Sequence, residues 1–233
     1  MFKSKLFHIF LSTFLLVFLN ASFAAALVEQ AGDADNPPSK MWLQGTKMRV
    51  QMTRAGQYML MDLGKKKMYV VNPANKIVLD NSEVFKQKKA RTDDLKINVK
   101  HMGNGPVIAG YPTQKYSLSV NGQLCEQVLV SKKAMKDTGM LNMMEAMTSI
   151  NMNPTGPDMR SKCDRAEGLF ATRMKKLGIP MGIIKDGQVK ADITRIVPNA
   201  SLPAHAFDLP KGYKVLTMQQ YMMQMMRKRM PQH

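Results

Sequence analysis

The chain has 233 residues, of which 45% are hydrophobic. This suits one folded domain and excludes a polypeptide that is mainly disordered. Its 34 Lys and Arg against 17 Asp and Glu give a net charge of +17, which excludes cationic partners as the natural choice and favours anionic ones.

Residues 1–26 read as a cleavable signal peptide. Lys3 and Lys5 form a basic start, Leu6 to Leu19 an apolar core, and Asn20 to Ala26 a small-residue cleavage region. Ser22 with Ala24, or Ala24 with Ala26, fits the −3 and −1 positions. The apolar core is short for a membrane span, and no later apolar run is longer, so an exported, periplasmic protein is expected. Cleavage removes Lys3 and Lys5 and leaves +15 of the +17. In that compartment the charge points to an anionic membrane surface or acidic envelope polymers, and no nucleic acid partner is expected.

Residues 27–40 are polar, contain Pro37-Pro38 and read as a flexible lead-in. From Met41 to Asp80, apolar and polar residues alternate between regularly spaced turns, the pattern of an antiparallel meander with one buried face. Met48, Val50 and Met52 share one face of their strand, and Lys47, Arg49 and Gln51 the other. Alternation returns over Leu95–Val99 and Tyr116–Val120, where Asn121-Gly122 marks a two-residue hairpin that pairs Val120 with Gln123 and Leu118 with Cys125.

The period becomes helical over about 132–177. One apolar segment contains Met140, Leu141, Met143, Met144 and Met147. A second carries Cys163, Phe170 and Met174 on one stripe and ends before Gly178 and Pro180. Strands resume over Met181–Lys185 and Gln188–Val197 around Asp186-Gly187, followed by Leu202–Phe207. A closing helix over 217–233 is rich in methionine and basic residues, with Thr217 and Gln220 at capping-box spacing. The expected fold is α+β: a curved antiparallel sheet, or half-open barrel, over 41–216, covered by the inserted helices as a lid.

Cys125 and Cys163 are the only cysteines. An oxidising compartment favours a bridge between them; two separate buried thiols or a redox pair are the alternatives, although the spacing is far from Cys-x-x-Cys.

Trp42, Gly45, Lys47-Met48-Arg49, Met68 to Pro73, Gly110-Tyr111 with Tyr116, Gly178-Ile179-Pro180 and Phe207 to Tyr213 resemble a family of exported bacterial proteins of unknown function. The resemblance spans about residues 41–215. That family is similar in turn to periplasmic lipoprotein carriers of the LolA type, half-open barrels whose apolar face is lidded by helices and holds acyl chains. The resemblance implies the same architecture here.

No phosphate loop, nucleophile elbow or paired carboxylate is present, and His101 and His205 lack neighbours at ligand spacing, so neither an enzyme nor a cofactor is expected. The chain contains 23 methionines, whose unbranched, polarisable side chains suit a deformable pocket. The expected function is non-catalytic binding of a lipid or other apolar ligand, lined by Met140, Leu141, Met143, Met144, Met147, Phe170 and Met174. The alternatives are Cu(I) capture by Met222, Met225 and Met226 and an envelope scaffold or assembly partner with no ligand.

Overall fold

The computed structural model describes residues 25–32, 37–52, 56–86, 94–147, 161–185 and 187–229. In chain order these form β1 (Ala26–Gln30), β2 (Ser39–Gln44), β3 (Lys47–Met52), β4 (Tyr58–Asp62), β5 (Lys67–Asn72) and β6 (Ile77–Asp80). A 3-10 turn over Ser82–Lys86 follows, then β7 (Ile97–Asn104), β8 (Gln114–Val120) and β9 (Gln123–Ser131). Next come α1 (Lys132–Thr138), α2 (Met140–Met147) and α3 (Lys162–Met174). The chain closes with β10 (Ile179–Lys185), β11 (Gln188–Ala191), β12 (Ile193–Val197), β13 (Lys214–Thr217) and α4 (Met218–Arg229).

The strands make two sheets, neither closed on itself. One has the order β12-β1-β2-β3-β4-β5-β6-β13 and the other β11-β10-β9-β8-β7. The expected α+β class with large antiparallel sheets and a C-terminal helix holds. Only β13 departs from antiparallel pairing, running parallel to β6.

The meander folds as its alternation predicts, but residues 27–40 are not simply a lead-in. β1 pairs with β2 on one side and β12 on the other, and Ala26 and Val28 are fully buried. Its partner β12 lies far along the chain, so no local hairpin signal announces it. The stretch 188–197, expected as one strand, divides at Asp192. Its amide donates to the Met181 carbonyl in one sheet and its carbonyl accepts from Ala31 beside the other, at 3.0 and 2.8 Å. The chain thus steps from β11 in the small sheet to β12 in the large one.

Residues 202–207 are not a strand. The segment crosses the large sheet through turns, and the final strand is β13, seven residues later. The Asn121-Gly122 hairpin forms with Val120 opposite Gln123, but a bulge follows, and Leu118 faces Glu126 rather than Cys125.

Helix boundaries follow local chemistry. The Ser131 side chain caps α1 by accepting from the Ala134 amide at 3.2 Å. Gly139, at φ 65°, separates α1 from α2, a conformation cheap only without a Cβ. Ser161 and Asp164 form a reciprocal capping box on α3.

The main core lies between the large sheet and α1–α2, with Leu129, Ile179 and Met181 of the small sheet joining it. A second core packs Ala166, Phe170 and Met174 of α3 against Leu118, Val120, Val128 and Val130.

Candidate functional site

Three regions hold the residues singled out by the sequence. The first is the helical insertion. Met143 is 2% exposed and sits in the main core, with Met140 and Met144 packed against it. Phe170 and Met174 belong to the second core, and Met144 touches both. Leu141 is exposed, and the Met147 side chain lies outside the described residues. Of the described positions, Met140 and Met143 therefore belong to the first core, Phe170 and Met174 to the second, and Met144 lies between the two.

What the structure adds is the sheet side of the first core. Met48, Met61, Met68, Met135, Met143 and Met181 are buried in it, with Met41, Met59, Met140 and Met144 partly buried around them. The alternation of Met41, Met48, Met59 and Met61 across β2–β4 carried this signal. Beside the insertion, Lys133 stands 5.1 Å over the Tyr111 ring and pairs with Asp137. The Lys133 hydrogen bond holds the Asp137 carboxyl below its ordinary pKa.

Cys125 and Cys163 form the disulfide, with Cα atoms 5.5 Å apart. The bulge after Leu118 admits Cys125 as the extra residue, and the bond ties β9 to the first turn of α3.

The second region is the opposite face of the large sheet, which the alternation assigned to solvent. Leu60, Val71 and Val78 are buried there, with Tyr58, Tyr69 and Tyr213 around them. They are buried because the segment before β13 crosses this face. In register, Trp42, Arg49, Leu60, Tyr69 and Asp80 make a row across five strands. The Arg49 guanidinium lies 3.8 Å from the Tyr58 ring centroid, and its Nη1 donates to the Ala206 carbonyl at 3.2 Å. Its Nε is buried without an acceptor.

Next to this row is a cleft of about 220 Å³, lined by Lys47, Lys65, Lys67, Tyr69, Phe207 and Asp208 among others. Lys67 also pairs with Asp80 at 3.6 Å. Burial pushes the Asp80 carboxyl up, but hydrogen bonds from Ser82 and the charge of Lys67 outweigh it and leave its pKa below the ordinary value.

The third region is α4, whose start is capped as predicted: Thr217 N donates to Gln220 Oε1 at 2.9 Å and Gln220 N to Thr217 Oγ1 at 3.2 Å. Met222 and Met226 are exposed, whereas Met225, beside them on the helix, is half-buried. His101 lies 2.6 Å from Gln114 Oε1, and His205 contacts Asp208 at 2.9 Å. Among the described residues no three His, Cys, Asp or Glu side chains are grouped to hold a metal ion, and no helix is long and apolar enough to cross a membrane.

A family model described as a domain of unknown function, DUF4412, matches residues 29–213. The chain belongs to this family. The DUF4412 match begins within β1, takes in β2–β12 and all of α1–α3, and ends just before β13 and α4. No curated protein matches the chain. Among solved structures, this DUF4412 chain is similar to PNGF-II at 11% identity and a TM-score of 0.34. The similarity covers 88% of this chain and 34% of that one, so the chain spans about a third of that protein's length.

Proposed function

We propose that this is an exported, non-catalytic protein that binds a lipid or other apolar ligand between the large sheet and the α1–α2 cover, in the manner of a lidded half-barrel. The observation that carries this reading is the composition of the main core. Ten methionines from five strands and two helices converge in it. Thioether side chains repack around irregular shapes at lower cost than branched ones, so such a core can admit an apolar guest by moving its own side chains. The positive charge of the chain suits a guest with an anionic head group.

Native mass spectrometry tests this directly. Protein expressed with its own leader and purified without detergent is expected to carry lipid, or to take it up from added vesicles. A chain that neither arrives with lipid nor acquires it overturns the reading.

Export itself has a sharper test. Ala25 and Ala26 are buried, the Ala25 carbonyl accepts from the Ala200 amide at 2.8 Å, and Ala26 pairs with Leu43. Of the two cleavage positions, the one after Ala24 preserves these contacts and the one after Ala26 removes them. N-terminal sequencing of the exported protein is expected to begin at Ala25; a start at Leu27 would contradict the role of these residues in β1.

A further inference from the structure

α4 packs against β13 and β6 at one end of the large sheet, and only part of its circumference is used in doing so. Tyr221, Gln224 and Met225 are partly buried. Met218, Met222 and Met226 follow one another at four-residue steps and are 43%, 51% and 53% exposed. Met223 and, just before the helix, Val215 are exposed as well. At 100° per residue the four helical methionines occupy an arc of about 140°, with Gln219 inside it, Arg229 in line with it at the C-terminal end and Arg227 about 40° beyond its border.

Exposed apolar residues scattered singly need no explanation, but a contiguous stripe along one helix does. The helix closes on Arg227-Lys228-Arg229 and contains no acidic residue. An apolar stripe ending in a cationic cluster is the composition of a helix that lies in the interface of an anionic bilayer. A surface for a soluble acidic protein would not call for four thioethers facing water along one side.

We propose that α4 is a membrane-docking helix, with the Met218–Met222–Met226 stripe inserted among acyl chains and its basic C-terminal end, where Arg227 is exposed, against anionic head groups. A single short helix of this kind gives reversible attachment. α4 lies outside the DUF4412 match, and the proposal does not depend on the core binding a ligand.

The test is flotation of the purified protein with vesicles of phosphatidylcholine alone or with added phosphatidylglycerol. Wild type is expected to float only with the anionic vesicles. The R227Q/K228Q/R229Q variant is expected to bind on the order of 100-fold more weakly, since each basic residue near an anionic surface contributes about one kcal/mol. The M218S/M222S/M226S variant is expected to lose binding with its unfolding midpoint unchanged, because all three side chains are exposed.

A single M222W change supplies an independent reading, because Trp42, the only native tryptophan, is buried in β2. The new indole is expected to shift to the blue when anionic vesicles are added. Failure of wild type to float, wild-type binding by either triple variant, or flotation without a blue shift each overturns the proposal. A wild type that dimerises through the stripe and ignores vesicles does so too, in favour of a second copy as the occupant.

Discussion

A Cys125→Ser, Cys163→Ser variant is expected to lose about 3.5–4 kcal/mol of stability, the chain-entropy value for a loop whose ends are 38 residues apart. The loss falls on the contact between α3 and the small sheet. Apart from the disulfide, that contact rests on a small apolar cluster around Ala166, Phe170 and Met174. An ion pair from Arg165 to Asp94 at 2.7 Å adds to it, but Asp94 is largely exposed, and such pairs contribute at most about 1 kcal/mol. Urea unfolding with and without reductant measures the effect. Reductant should lower the wild-type midpoint to that of the double variant and leave the variant unmoved. A loss below about 1 kcal/mol would mean that packing alone holds α3, contrary to the chain-entropy estimate.

Gly178→Ala should be at least as damaging, by about 3 kcal/mol or more, because strain and collision act together. Gly178 has φ +145°, and a Cβ there would lie 2.5 Å from the Ser131 carbonyl carbon and 2.7 Å from both Ser131 O and Lys132 N. These are backbone atoms, so no side chain can move aside. Gly178 N also ends α3 by donating to the Met174 carbonyl at 3.0 Å, while fully buried Ser131 caps α1. One residue therefore fixes where the insertion leaves the sheet and where it returns. Gly168→Ala is the control, since nothing lies within 4 Å of its added Cβ. In mid-helix it should raise stability by up to about 1 kcal/mol. Thermal unfolding of the two variants should give shifts of opposite sign.

Much of this architecture is legible locally. The hairpins follow from period-two alternation and from turns such as Asn121-Gly122 of the small sheet, where both residues have positive φ. The cysteine pairing is the one bridge that a chain with two cysteines can form within itself. The illegible features are those whose partner is distant in sequence. β1 is held by β12, β13 by β6, and Leu60, Val71 and Val78 are buried by a segment that crosses their face from the far end of the chain. Periodicity reports that two faces differ; it does not report what arrives later to cover the more polar one. The insertion shows the same limit. Its helical stripes placed Met143, Phe170 and Met174 on buried faces, but the sequence had no means of showing that Met143 sits in one core, Phe170 and Met174 in another, with Met144 against both.

The placement of β1 between β2 and β12 has a consequence for the order of folding. Leu27 pairs with Val197, so the large sheet cannot complete its first strand until nearly the whole chain is present. Contacts this remote in sequence form slowly, because the intervening loop must be closed before they give any return. β1 can pair with its neighbour β2 early, but the Ala25 carbonyl gains its bond from the Ala200 amide only when the far end of the chain arrives.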